Sequence, residues 1–172
     1  MSLPNKSTRR GTRGYAHLVE IDAPAGRVWR ALTDPDLIRL WSGQKAEIDA
    51  RLGGWYRLGN PNETGREAHI DIFDPNRRLR LIYLKGGDWP RGESAVVDDF
   101  LLDARKGQGK TSLRLLGSGV PEAAEWDKTY MRIRIGWERH MARIKVILES
   151  PPVPKKPKTL TPKDPPLPGL DY

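Results

Sequence analysis

Apolar and polar residues alternate along most of the chain and change to a helical spacing near its end. Tyr15, His17, Val19 and Ile21 occupy alternate positions in the first such segment. This pattern is typical of a half-buried strand, which we predict over residues 15–22.

Two short helices are predicted directly after this strand. Pro24 breaks the alternation and stands where a first helical turn tolerates proline. Asp34 and Pro35 then end the first helix and cap a second one over residues 35–41. The apolar positions of these two helices are Val28, Trp29, Leu32, Leu37, Ile38 and Trp41.

Period-two alternation returns after the second helix and predicts six more strands. Turn-forming residues separate several of them, including Gly53-Gly54 and Asp74-Pro75-Asn76. The predicted strands cover residues 46–50, 55–59, 66–73, 78–85, 94–103 and 110–117.

One long helix is predicted from Pro121 to the end of the folded region. Its apolar residues recur every three or four positions, which gives a continuous stripe over about six turns. Residues 131–137 also alternate, so a strand is the local alternative, but the longer stripe favours the helix. The stripe consists of Trp126, Tyr130, Ile133, Trp137, Met141, Ile144 and Leu148.

This order of elements predicts an α+β domain. A curved antiparallel sheet of about seven strands would wrap around the long C-terminal helix and bury its stripe. Such a packing can leave a hollow between sheet and helix, which is where a ligand site is expected.

Proline and charge concentrate at the two ends of the chain. Eight of the 15 prolines lie between residues 151 and 168, which predicts a disordered or extended proline- and lysine-rich tail over residues 150–172. Residues 1–14 are predicted to form a disordered basic arm, and residues 15–149 the folded domain. The two ends carry +6 of the net charge of +8. A docking segment for a protein partner is the alternative interpretation of the tail.

The charge distribution and the composition also exclude several classes of protein. Because the folded body is nearly neutral, we expect no specific nucleic-acid binding. The chain has no cysteine and no apolar run long enough for a membrane span, so we expect a cytoplasmic protein without disulfides. The three histidines have no metal-type spacing, so neither a metal site nor a cofactor is predicted.

Several short motifs occur in an order that resembles a known family. These are the segments 21–24 (IDAP) and 28–35 (VWRALTDP), followed by Trp41, the segment 53–56 (GGWY) and Gly136-Trp137. The chain is thereby similar to the START-like, birch-pollen-allergen-like superfamily with the helix-grip fold. More narrowly, it resembles the bacterial homologues of the activator of the ninety-kilodalton heat-shock protein ATPase.

The resemblance implies a fold more directly than an activity. Related folds include lipid carriers, hormone receptors and polyketide cyclases, so function has to come from the site. We expect a non-enzymatic binding domain for a small hydrophobic or amphipathic ligand. The alternatives are a cyclase- or hydratase-like enzyme that uses the same cavity and a chaperone-associated or other protein-interaction module.

Aromatic residues dominate the candidate ligand-binding set, since their rings can hold an apolar ligand and their polar atoms can orient it. Trp89 differs from the others because it lies in a Gly-rich loop, where it would either act as a lid or fold onto the sheet. Arg134 borders the helical stripe, where it would either anchor an anionic head group or belong to a solvated helix face. Ordinary core packing is the alternative role for most of this set. Its members are Trp41, Trp55, Tyr83, Trp89, Trp126, Tyr130, Arg134 and Trp137.

Three residues are candidates for acid–base chemistry in the hollow. His69 lies on a predicted strand face with Asp71, and Asp98 shares a face with Phe100. Together with Tyr83, His69 and Asp98 would carry the enzymatic alternative. The spacing alone does not show that they meet.

Overall fold

The protein is an α+β domain in which a seven-stranded sheet curves around a long C-terminal helix. The computed structural model describes residues 11–60, 62–92, 94–105 and 107–151. Most of the predicted tail and most of the predicted basic arm lie outside these residues. The strands are β1 (Thr12–Ile21), β2 (Ala46–Ile48), β3 (Trp55–Leu58), β4 (Arg66–Asp74), β5 (Arg78–Gly86), β6 (Val97–Arg105) and β7 (Lys110–Pro121). The helices are α1 (Ala25–Thr33), α2 (Pro35–Ser42) and α3 (Asp127–Glu149), with a 3₁₀ turn at Ala124–Trp126.

The sheet is antiparallel throughout, in the order β1-β7-β6-β5-β4-β3-β2. Strands β1 and β2 form its two edges, and α1 and α2 carry the chain from one edge to the other. Residues at the two ends of α2 determine where this helix begins and ends. Asp34 caps α2 by accepting a hydrogen bond from the backbone N–H of Asp36 at 2.9 Å, and Gly43 ends it with a left-handed φ of 69°.

The predicted fold class and the long helix are confirmed, with differences at the element ends. Strand β7 runs to Pro121, so α3 begins at Asp127 rather than near Pro121. The longer β7 offers backbone partners to Thr12 and Arg13, which pair with Pro121 and Val120, and β1 therefore starts three residues before residue 15. Residues 131–137, where a strand was the alternative, are helical.

The core lies between the concave face of the sheet and α3. The helix turns one side toward the sheet and buries Ile133, Trp137, Met141 and Ile144 there. Opposite them lie inward-facing sheet residues, and α1 and α2 cover the remaining side. The fully buried sheet residues include Leu79, Leu81, Phe100, Leu113 and Leu115.

Candidate functional site

A buried carboxylate occupies the middle of the space between sheet and helix. Strand alternation turns Asp98 inward together with Phe100, and its side chain has no solvent exposure. One carboxylate oxygen, Oδ1, accepts a hydrogen bond from the hydroxyl of Tyr15. The other, Oδ2, accepts from the Tyr83 hydroxyl at 2.8 Å and from Nε1 of Trp137 at 2.9 Å. Two strands and α3 thus converge on one acidic group, which we call the Asp98 hub.

The electrostatics of the Asp98 hub favour hydrogen bonding over proton transfer. Burial raises the pKa of Asp98, while the donors Tyr15, Tyr83 and Trp137 oppose that rise. Burial, followed by the charge of Asp98, raises the pKa of both Tyr15 and Tyr83 well above the ordinary value for tyrosine. The two hydroxyls therefore stay protonated and donate to the carboxylate, which needs these donors because it is removed from water.

His69 does not join the other two acid–base candidates. Its neighbours Ala68 and Ile70 are buried on the inner face, which leaves the partly exposed His69 on the outer face, directly opposite Trp55 on β3. Its strand neighbour Asp71 lies 3.6 Å from Arg80 in a partly exposed ion pair. The structure therefore brings Tyr83 and Asp98 together but places His69 on the other side of the sheet.

The deep half of the predicted hollow is filled with aromatic side chains. The rings of Trp41 and Trp137 lie 5.9 Å apart, and Phe100 meets Trp137 edge-on at 5.2 Å. Nε1 of Trp41 donates to the carbonyl of Ala31 at 2.7 Å. Trp41 and Trp137, both predicted ligand contacts, are thus buried core residues whose rings pack against each other. We refer to this region as the closed end.

His140 completes the closed end as a neutral side chain. Its ring meets Trp41 at 5.2 Å and Trp137 at 5.5 Å, edge-on in both cases. Burial lowers the pKa of His140 to about 4, with a further contribution from the positive charge of Arg66. The imidazole is therefore uncharged at neutral pH and acts as a packing partner of the two indoles.

The other end of the hollow is open, and the Gly-rich loop after β5 shapes it. The Trp89 ring lies 5.5 Å from Tyr83 and 5.9 Å from Trp126, and it rests on the backbone of Gly86, where a Cβ atom would lie 2.4 Å from the indole. Nε1 of Trp126 donates to the carbonyl of Arg91 at 3.4 Å. We call this region the mouth.

A pocket of about 400 Å³ lies at the mouth. This volume is within the range of small-molecule sites, and the pocket walls combine aromatic rings with backbone and side-chain polar groups. Tyr83 belongs both to this pocket and to the Asp98 hub. The residues around the pocket are Tyr83, Leu84, Gly86, Trp89, Pro90, Arg91, Gly92, Ser94 and Trp126.

A second, smaller hollow of about 110 Å³ lies on another side of Trp89. Arg66 at the start of β4 and Arg132 on α3 contribute its positive charges, and Asp88 contributes a negative one. Asp88 and Arg132 form an ion pair at 2.5 Å. The residues around this hollow are Gln44, Thr64, Arg66, Asp88, Trp89, Thr129, Arg132 and Ile133.

Three members of the predicted ligand-binding set lie away from both hollows. Trp55 is 46% exposed on the outer face, where the guanidinium of Arg57 lies 5.1 Å from its ring. Tyr130 donates to the backbone carbonyl of Gly14 at 2.7 Å, and Arg134 is exposed with its guanidinium 5.9 Å from the Tyr130 ring. Their contacts are structural or with solvent.

Sequence reasoning missed Tyr15 and Arg66. Tyr15 is the first of the alternating residues in β1, and this position indicates that its side chain faces inward. Arg66 has the same parity as the buried Ala68 and Ile70, which was the available sign of an inward-facing arginine. Both residues were overlooked because a strand end is usually solvated.

Comparison with known families agrees with this geometry. The family model described as "Activator of Hsp90 ATPase homolog 1-like protein" matches residues 22–149. The chain belongs to this family. Among curated proteins, it is similar to the mouse activator of 90 kDa heat shock protein ATPase homolog 1, with 26% identity over 113 residues. That match covers 66% of this chain but only 30% of the mouse protein.

Solved structures of activator-family and similar proteins share the fold. An HSP90 activator from Plasmodium falciparum has a TM-score of 0.67 at 20% identity, covering 80% of this chain and 97% of its own. A protein from Mesorhizobium loti has a TM-score of 0.66 at 23% identity, with 79% and 96% covered. The Aha1 dimer from Colwellia psychrerythraea has a TM-score of 0.65 at 18% identity, with 80% and 96% covered. Within the described part of the chain, no helix is long and apolar enough to cross a membrane.

Proposed function

We propose that this member of the activator-homologue family is a non-enzymatic binding domain that holds a small, ring-bearing amphipathic molecule at the mouth. The pocket of about 400 Å³ carries the proposal, because Tyr83, Trp89 and Trp126 present three aromatic rings to it. Ring-bearing ligands gain from such walls through burial and offset or edge-on ring contacts.

The same geometry argues against the deeper cavity and against the enzymatic alternative. The closed end is filled by Trp41, Trp137 and Phe100, so the ligand has to stay at the mouth. Acid–base catalysis would need His69 beside Asp98, and His69 faces outward instead. Asp98 is also fully buried behind Tyr83, out of reach of a substrate.

Tryptophan indole signals give a direct test of the proposed pocket. The chain has six tryptophans, so a ¹⁵N-labelled sample yields six indole N–H resonances that single Trp→Phe variants can assign. Titration with 1-naphthaleneacetamide, an uncharged ring-bearing probe, should shift the Trp89 and Trp126 signals and leave Trp55 unchanged. Trp89→Ala should weaken binding at least tenfold.

Trp55→Ala is the matched control, since it removes the same side chain from the outer face of the sheet. Its affinity for the probe should equal that of the wild type. Shifts confined to Trp55, or no shift of Trp89 at millimolar probe, would refute the mouth as a binding site.

A chaperone-associated role is the second candidate, and family membership favours it. The mouse relative is named as an activator of the 90 kDa heat shock protein ATPase, and this chain corresponds to 30% of its length. Adding the purified chain to a ninety-kilodalton heat-shock protein should then raise its ATPase rate. An unchanged rate at saturating chain concentration would remove this candidate.

A further inference from the structure

Arg66 is a positive charge that faces the interior, where it interacts with the charge of the buried Asp98 without forming an ion pair with it. It lies on the inner face of β4 with Ala68 and Ile70, and it pairs across the sheet with Gly86 of β5. Its guanidinium lies 5.6 Å from the Trp89 ring. Within the described part of the chain, no ion pair or side-chain hydrogen bond involves Arg66. Partly buried arginines are ordinarily paired, because their charge is costly to remove from water.

The small hollow beside Arg66 has the composition of an anion site. Two arginines and one aspartate surround it, so its walls carry one more positive than negative charge. The hydroxyls of Thr64 and Thr129 add hydrogen-bond donors. Thr129 is buried, and its hydroxyl oxygen lies 3.5 Å from Nη2 of Arg132. A guanidinium with flanking hydroxyls is well suited to bind a carboxylate.

Trp89 connects this hollow to the larger pocket at the mouth. Its indole contributes to both, with Tyr83 and Trp126 in the larger pocket and Arg66 and Arg132 in the smaller one. A molecule seated against the Trp89 ring therefore has an aromatic compartment on one side and a cationic compartment on the other.

We infer that the ligand of the mouth is a ring-bearing carboxylate, whose ring lies in the Trp89–Trp126 pocket and whose carboxylate is bound by Arg66 and the hydroxyls beside it. This inference rests on the proposed binding function and specifies the class of ligand. A monoanion matches the single excess positive charge of the walls, whereas a phosphate dianion would bring excess negative charge close to Asp88.

The anchor differs from the one that the sequence suggested. Arg134 is exposed beside Tyr130 and lies outside both hollows. Arg132 comes from the same helix but already pairs with Asp88. Arg66 is therefore the main anchor, and Asp88 competes with the incoming carboxylate for Arg132.

A matched pair of probes tests the inference. 1-Naphthaleneacetate and 1-naphthaleneacetamide have the same ring and nearly the same size, and only the first carries a charge. We expect the acetate to bind the wild type at least fivefold more tightly in low-salt buffer, and the difference to shrink as salt is added. Both affinities come from the indole shifts of Trp89 and Trp126.

Four variants locate the anchor. Arg66→Gln should abolish the preference, so that the ratio of the acetate affinity to the amide affinity falls to about one. Asp88→Asn should increase affinity for the acetate severalfold, and this loop substitution gives a second measurement if Arg66→Gln does not fold. Arg134→Gln is the matched control and should retain the preference, and Arg91→Gln tests the arginine of the larger pocket as the alternative anchor.

The outcomes separate this inference from the proposed function. Equal binding of the two probes would overturn the carboxylate inference while the binding pocket stands. Failure of both probes to bind would overturn the binding function itself. Loss of the preference in Arg91→Gln but not in Arg66→Gln would place the anion outside the small hollow and refute the inference. Tighter binding of 1-naphthyl phosphate than of the acetate would also refute it.

Discussion

The two ends of the space between sheet and helix differ in how their aromatic residues are held. At the closed end, Trp41 and Trp137 are almost completely buried, and each indole N–H has an acceptor inside the protein. At the mouth, Trp89 is half-buried and rests on the bare backbone of Gly86. The same residue type thus builds the core at one end and a binding surface at the other, and the difference comes from what surrounds the ring.

Substitution of Trp137 should have the largest effect on stability. Trp137→Ala leaves a cavity between Trp41 and Phe100 and removes a donor from Asp98, so we expect a loss of about 3–5 kcal/mol in the free energy of unfolding. Urea denaturation measures it. Trp55→Ala, on the outer face, should lower the free energy of unfolding by less than about 1 kcal/mol. Similar losses for the two variants would erase the distinction between the closed end and the surface.

Substitution of Asp98 should have an intermediate effect. Asp98→Asn weakens hydrogen bonds to a charged acceptor but also relieves the burial of that charge, so we expect a loss of about 1–3 kcal/mol at pH 7. Asp99→Asn is the matched control. Asp99 is the next residue on β6, and its carboxylate points to the outer face, where Arg78 binds it at 2.8 Å.

The pH dependence of the Asp98→Asn effect has a definite sign. Burial raises the pKa of Asp98 in the folded protein above its ordinary 3.8, so the folded state holds this proton more tightly than the unfolded chain. The stabilising contribution is complete below pH 3.8 and is lost as pH rises through the folded pKa. The wild type should therefore lose part of its advantage over Asp98→Asn as pH rises above 3.8. An advantage that grows over this range would contradict the assigned pKa direction.

Substitution of Trp89 should have a small effect on stability and a large effect on binding. The ring is only half-buried, so we expect Trp89→Ala to cost about 1 kcal/mol while it removes most of the probe binding. Thermal unfolding and the indole titration, carried out on one sample, compare the two quantities. A loss as large as that of Trp137→Ala would mean that the mouth is part of the core.

The order of elements could be predicted from sequence because it depends on local patterns. Alternation, proline breaks and the α3 stripe each act over a few residues, and they led to the correct fold class. The end of β7 was misjudged because the strand continues through Gly119, whose φ of 82° is atypical of a strand. The length of β7 depends on its pairing with β1, which lies more than a hundred residues away in the sequence.

The site was less predictable because it depends on which face of the sheet each residue occupies and on distant partners. Trp55 and Trp41 are both tryptophans on predicted elements, yet Trp55 lies on the outer face of the sheet and Trp41 lies in the core. Asp98 was correctly turned inward with Phe100. Its partners Tyr15, Tyr83 and Trp137 lie 83, 15 and 39 residues away, and no local pattern links them.

The wide separation of these partners has a consequence for folding. Asp98 receives its donors from the first strand, from the middle of the sheet and from the last helix, so its carboxylate has all of its hydrogen bonds only after both ends of the domain have docked. A chain that buried β6 before then would hold a carboxylate without donors, at a considerable cost in free energy. The Asp98 hub should thus disfavour partly assembled forms and make the two termini fold cooperatively, as late steps with high contact order.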